Sequence, residues 1–205
     1  MNMFIFADKL PRNIILTDDV MRVEMLAAHY LNDARLVSES RGMRSYAGTY
    51  KDVPVAAVAC GFGRTAAMLH LKEAHGLGAG NVVYIGECIS LTERYALMDN
   101  IIPNGYGAKL SQNLKAAANA KNVKLHFTDV RTDDGFLLSR IKPEHCEVID
   151  FAHEGLCVIA DDLGVEMISL LVVSENARTG ERIEENVRQS GFHIASQLAF
   201  EAIIY

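Results

Sequence analysis

Val53-Pro-Val-Ala-Ala-Val-Ala-Cys60, followed at once by Gly61-Phe-Gly63-Arg64-Thr-Ala66, is the stretch on which the fold turns. The apolar run has the length of a buried strand, and the glycines allow a sharp turn into a helix that starts near Arg64. That helix should stop near Gly76 and Gly78, and Asn81 to Ile85 then reads as a second buried strand ending in Gly86-Glu87-Cys88. Towards the N-terminus, Ala47 to Lys51 reads as a neighbouring strand joined through Lys51-Asp52, and Asn13 to Leu16 as another. Thr17 and Asp18 can cap a helix after it, whose apolar positions Val23, Ala27, Tyr30, Ala34 and Val37 recur at helical spacing.

The rest of the chain continues the alternation. Gly105 to Asn122 reads as a glycine-led, alanine-rich helix, Val123 to Thr128 as a strand, and Arg131 to Gly135 as a polar turn, with Pro143 barring a long helix beyond it. From Glu147 the pattern is strand, helix to Leu163, strand from Glu166 to Val173, polar loop, and a last helix from about Glu181 to Ile203. No repeat or linker divides residues 1–205, so the expectation is a single α/β domain of three layers, a central twisted mixed sheet flanked by helices.

Composition narrows the function. Half of the 205 residues are apolar and 22% are charged, the balance of a chain that folds around a core. Twenty basic against 26 acidic residues, with no basic run, argue against a nucleic-acid partner, and no apolar stretch is long enough to cross a bilayer. The N-terminus lacks the charged leader and apolar segment of an exported chain, so a cytoplasmic protein is expected. Cys60, Cys88, Cys146 and Cys157 form no Cys-x-x-Cys pair, and His70 and His75 would point away from a common face, so no metal site is expected.

The Gly61 to Ala66 loop can hold an anion on the backbone N–H groups of the helix it opens. It matches a dinucleotide fingerprint, and Glu87 follows Ala66 by 21 residues, where an NAD ribose would find its acid. It also belongs to a wider pattern. Arg22-Val-Glu-Met-Leu-Ala-Ala-His-Tyr-Leu-Asn-Asp-Ala-Arg35, Arg41-Gly-Met43, Ala47-Gly-Thr-Tyr-Lys51, the Gly-x-Gly loop, Gly86-Glu-Cys88 and Ser174-Glu175-Asn176 occur in the order of the purine nucleoside phosphorylase and uridine phosphorylase family. Arg188, fourteen residues after Ser174, adds to the match. The chain resembles that family over roughly 13–51, 53–89 and 147–189, and is shorter in the middle.

The resemblance implies cleavage or ribosyl transfer at the N-glycosidic bond of a small-molecule nucleoside, in a homo-oligomer built from dimers, hexamers included. Such a reaction builds positive charge on the sugar and negative charge on the leaving base, so it needs a proton donor, a grip on the ribose hydroxyls and cations for an attacking phosphate. By resemblance, Arg22 and Arg41 contact phosphate, the second in a neighbouring subunit's site, beside Gly61 and Gly63. Glu175 replaces the base-protonating aspartate, Ser174 adjoins it, and Arg188 pairs with it.

The chain departs from the family elsewhere. Its Gly-Asp-Pro loop is Asp18-Asp19-Val20, a third phosphate arginine is Tyr84, and a phosphate-binding serine is Glu87. The ribose-gripping Val-Glu-Met-Glu is Ile149-Asp150-Phe151-Ala152, leaving Asp150 or Glu154 to compensate, and no histidine occurs at Asn2, Met3 or Phe4. No cofactor is implied. Inorganic phosphate is the candidate co-substrate, although Asp18 and Glu87 place extra negative charge in its seat.

Three readings follow: a nucleoside-cleaving enzyme with an altered donor or acceptor, a nucleosidase that uses water, and a family member that only binds a ligand or partner. The ordinary alternatives are a solvated helix face for Arg22 and Arg35, helix caps for Asp18 and Asp19, and a paired or exposed acid at Glu87.

Overall fold

The computed structural model of the chain describes residues 3–133, 146–190 and 192–205. The first half runs β1 (Asn13–Thr17), α1 (Val20–Tyr30), β2 (Asn32–Ser40), β3 (Met43–Tyr50), β4 (Val53–Ala59), α2 (Arg64–Gly76) and β5 (Asn81–Ser90). The second half runs β6 (Asn100–Pro103), α3 (Ala108–Ala120), β7 (Leu125–Thr128), β8 (Val130–Thr132), β9 (Val148–Asp150), α4 (His153–Leu163), β10 (Glu166–Asn176), β11 (Glu181–Arg182), α5 (Glu185–Ser190) and α6 (His193–Ile203). Asn2, Gly135 and Pro143 lie outside the described residues.

The strands form one mixed sheet in the order β2-β3-β4-β1-β5-β10-β6-β7, with β11 on β10, and β9 pairing both β5 and β8. At its centre β4, β1, β5 and β10 are parallel. Central strands covered on both faces read as continuous apolar runs, and their side chains alternate between two cores. Ala56, Val58, Val82, Tyr84, Leu171 and Val173 face the side that carries Ala67 and Leu71 of α2 and Leu156 of α4. Val55, Ala57, Val83, Ile85, Leu170 and Val172 face Leu26 of α1, Leu114 of α3 and Leu198 of α6. These are the three expected layers. Each fully buried Val, Leu or Ile contributes about 1.5–3 kcal/mol against its exposed state.

Several local expectations are corrected. The helix after β1 is capped by Asp19, whose Oδ1 accepts the Met21 N–H at 2.7 Å, rather than by Thr17 or Asp18. It ends at Tyr30 instead of reaching Val37, because Leu31 turns extended and 32–40 pair antiparallel with 43–50 across Arg41-Gly42. Arg35 is therefore on a strand. The second buried strand does not end at Gly86-Glu87-Cys88, since β5 continues through it to Ser90 and pairs with β10 and β9. Part of the Arg131 to Gly135 turn is strand β8, β6 was not foreseen, and the final helix is two, α5 and α6.

Two glycines fix how helices enter the sheet. Gly63, at φ +97°, is the N-cap of α2. Gly107 precedes α3 at φ +59°, and a Cβ there would collide with the Met167 carbonyl, so only glycine fits without strain. The open first turn of α3 is satisfied from β10, where Glu166 Oε1 accepts the N–H groups of Lys109 and Leu110 at 3.0 and 3.3 Å.

Candidate active site

In an open α/β sheet, groups released at the carboxyl ends of neighbouring parallel strands converge. Thr17 closes β1, Cys60 follows β4, and Glu87 and Glu175 lie on the far halves of β5 and β10. The Cys60 N–H donates to the Thr17 carbonyl at 2.8 Å, tying the Gly61–Gly63 loop to the end of β1.

Arg22 stands at the centre. Helical spacing places it on the inner face of α1 beside Val23 and Leu26, and it is fully buried, not on a solvated face. Its Nη1 donates to Asp18 Oδ1 at 2.5 Å and to Thr17 Oγ1 at 2.8 Å. Its Nη2 donates to Glu87 Oε1 and to the Arg188 carbonyl, both at 3.3 Å, while the guanidinium lies 4.2 Å from the centre of the Phe192 ring. Burial opposes its charge, but Asp18 and Glu87 outweigh burial and hold its pKa above the ordinary arginine value.

Glu87 is gripped from both sides. Arg188 Nη1 donates to Oε2 at 2.7 Å, and the nearby Ser174 hydroxyl, which donates to the Cys88 carbonyl at 3.4 Å, also favours the charged carboxylate. Burial and the nearby Asp18 raise its pKa, partly offset by Arg22 and Arg188. The expected pair of Arg188 with Glu175 is thus corrected: Arg188 binds Glu87, its Nε lies 3.5 Å from Glu185, and Glu175 pairs with Arg182 at 3.0 Å across the β10–β11 ladder. The cluster holds two arginines, with the carboxylates of Asp18 and Glu87 against them and that of Glu185 at its exposed edge. Beside it, Tyr84 is buried with its pKa well above the ordinary value through burial and the Asp18 charge, and its ring fills the space over Gly86.

The other sequence candidates are placed elsewhere. Arg41 is exposed at the β2–β3 turn, 5.6 Å from the centre of the Phe4 ring, and shares no hydrogen bond or ion pair with the cluster. Asp150 is fully buried at the end of β9: its carboxylate accepts the Thr132 hydroxyl at 2.5 Å and the Ala152 and His153 N–H groups at 2.9 and 2.6 Å. Burial pushes its pKa up to about 6 against these bonds. Glu154 accepts the Thr132 N–H at 3.1 Å and its own N–H donates to Thr132 Oγ1 at 2.8 Å, the reciprocal bonding of a helix start. Phe151 packs on Phe62 with ring centres 4.6 Å apart. Asn176 Nδ2 donates to the Thr92 and Tyr95 carbonyls, so the last residue of the Ser-Glu-Asn motif is a loop clamp.

The sequence did not mark Phe62 or Phe192 as site residues, and it offered Thr17 only as a helix cap. Phe62 carried a signal, a large aromatic between two glycines, and it is 63% exposed. It also passed over His153, whose Nδ1 is 2.9 Å from Ser169 Oγ and 3.5 Å from Cys157 Sγ. Burial holds that imidazole down at about 4 and pushes the thiol up to about 12, so the trio is neutral packing rather than a nucleophile and base. A cleft of about 740 Å³ opens at the opposite, amino ends of the strands beside Arg12, Arg35 and Pro54, and contains none of the clustered residues. Charge rather than volume locates the site. Among the described residues no group of three or more His, Cys, Asp or Glu could hold a metal ion, and no helix is long and apolar enough to cross a membrane.

Residues 12–109 match the sequence profile of the Phosphorylase superfamily. The chain is 24% identical over 220 residues to the DeoD-type purine nucleoside phosphorylase of Aliivibrio salmonicida, covering 93% of this chain and 92% of that one. It is likewise 24% identical to a DeoD-type purine nucleoside phosphorylase of Vibrio cholerae, over 93% and 92% of the two chains. The fold matches the crystal structure of purine nucleoside phosphorylase from Toxoplasma gondii in complex with immucillin-H, at TM-score 0.85 and 18% identity over 95% of this chain and 91% of that one. It matches uridine phosphorylase from Vibrio fischeri at TM-score 0.86 and 18% identity, over 99% and 97%.

Proposed function

We propose that this chain, which belongs to the phosphorylase superfamily, cleaves the N-glycosidic bond of a nucleoside and passes the sugar to an acceptor. The observation that supports this best is the pair of guanidiniums, Arg22 and Arg188, converging on one carboxylate where the parallel strands release their loops. Two arginines facing one small anion are the arrangement that fixes an oxyanion for attack.

The remaining roles follow from chemistry and position. Glu175 is assigned to the leaving base: it is partly exposed, and its ion pair with Arg182 lies at the solvent edge, where it can open to admit a proton. Phe62 and Phe151 offer an apolar surface to the base. Ser174 steadies Glu87, and Asp150 and Glu154 build the β8–α4 corner that carries Phe151. Arg41, on its hairpin turn, would serve the site of a neighbouring subunit in a homo-oligomer. The reading calls for no cofactor, and inorganic phosphate is the acceptor to test first.

Purified protein incubated with a panel of purine and pyrimidine nucleosides, with and without phosphate, should release free base. Glu175→Gln should slow that release by about 10²–10⁴-fold, the usual contribution of a general acid. No base from any nucleoside in either buffer would overturn the activity, and undiminished turnover by E175Q would remove Glu175 from the role.

A further inference from the structure

We infer that Glu87 is a resident anion: its side chain occupies the oxyanion seat formed by Arg22 and Arg188, and a free oxyanion enters only by displacing it. The geometry carries this. The two Glu87 oxygens are divided between the guanidiniums, Oε1 at 3.3 Å from Arg22 and Oε2 at 2.7 Å from Arg188. The Ser174 hydroxyl, which donates to the Cys88 carbonyl at 3.4 Å, stands beside the seat and could turn to a free anion. The second carboxylate, Asp18, is bound to the other side of Arg22 at 2.5 Å, and Glu185 stands 3.5 Å from Arg188 Nε. The arginine charges are therefore already matched before any ligand arrives. A dianion added beside Asp18 and an undisplaced Glu87 would meet net repulsion in a site shielded from water.

Replacing Glu87 by a small neutral residue changes the sum. Arg22 would then keep Asp18, and Arg188 only the exposed Glu185 at the solvent edge, leaving two converging guanidiniums and the hydroxyls of Thr17 and Ser174 around the space vacated, with no buried carboxylate between them. Such a site is suited to inorganic phosphate. Glu87 thus sets how much phosphate the protein needs. The binding part of this inference stands apart from the nucleoside reading, and only its kinetic part rests on that reading.

The test titrates inorganic phosphate into the unmodified 205-residue chain, E87S and E87Q by calorimetry, with thermal melting in phosphate against chloride at matched ionic strength. E87S should bind phosphate at least about ten-fold more tightly than the unmodified chain, a gap of about 1.4 kcal/mol. E87Q keeps the side chain's shape without its charge and should fall between them; it decides the matter should E87S fail to fold. Equal affinity in all three, or no binding by either variant, would overturn the inference. In the nucleoside assay, the phosphate KM should drop in the same order. Tighter phosphate binding without turnover in any variant would remove the nucleoside reading and leave the resident anion standing. Turnover by the unmodified chain that saturates at the same phosphate concentration as E87S would do the reverse.

Discussion

Glu87 and Asp150 are two buried carboxylates on adjoining strands, β5 and β9, whose register places Cys88 opposite Asp150. They are satisfied in opposite ways. Glu87 is matched by cations, while Asp150 is matched by a hydroxyl and two backbone N–H groups of its own corner. The N–H donors are fixed to the chain and shaped to one partner, so Asp150 works as a built-in cap for α4. Guanidiniums accept any oxyanion of suitable size, so the place of Glu87 is exchangeable. Burial alone does not separate the two; the chemistry of the donors does.

The comparison can be broken most forcefully at Arg22. Removing it strands Asp18 in a buried site and leaves Glu87 to Arg188 alone, and R22M should lose about 3–5 kcal/mol of stability in urea unfolding. A loss below about 1 kcal/mol would mean that water already screens the cluster. The next largest effect is a pH dependence at the Asp150 corner. Asp150 is raised from its usual 3.8 to about 6, so the folded chain keeps a proton that the unfolded chain releases, and stability falls as pH rises through that window. His153 is depressed from 6.5 to about 4, and its contribution is lost as pH falls through the same range.

The two slopes oppose each other, each at about 1.4 kcal/mol per pH unit, so the unmodified chain should melt at nearly constant temperature between pH 4 and 6. D150N removes one of them, and its melting temperature should rise with pH across that range; a flat profile for D150N would show that His153 is not held down, and an unmodified chain that already rises with pH would show that Asp150 titrates normally. The smallest effect sharpens the functional side. F62A deletes half of an exposed aromatic pair and should raise the nucleoside KM about two- to ten-fold, read from initial rates, the equivalent of about 0.5–1.5 kcal/mol.

The central strands were legible because both faces are buried and the apolar runs at Val53–Ala59 and from Met167 to Val173 carry little else. The edge was not. Asn32 to Leu36 are exposed and mostly polar, and Ala34 and Val37 fit helical spacing as well as they fit a strand interrupted by two register shifts. Pairing with β3 decides between them, and pairing is a long-range fact that spacing cannot carry. The same limit separates the site residues from their partners. Arg188 was picked out by its distance from Ser174, but a register shift between Val173 and Glu175 and the β10–β11 hairpin give Glu175 a nearer arginine, Arg182. The excess acid at Asp18 and Glu87 was visible as composition. That the acids are already neutralised by Arg22 and Arg188 needed the helix, the sheet and α5 to be brought together.

Tyr84 and Gly86 interlock: the ring lies where any side chain at 86 would go, and it packs in the core beside Cys60 and Cys88. Neither position is free to drift by itself. Enlarging residue 86 first produces a clash, while shrinking residue 84 first opens a void that costs several kcal/mol. An evolutionary or laboratory route to an arginine at 84 is therefore epistatic, and a single-site library will score both positions as intolerant even where a paired exchange would survive.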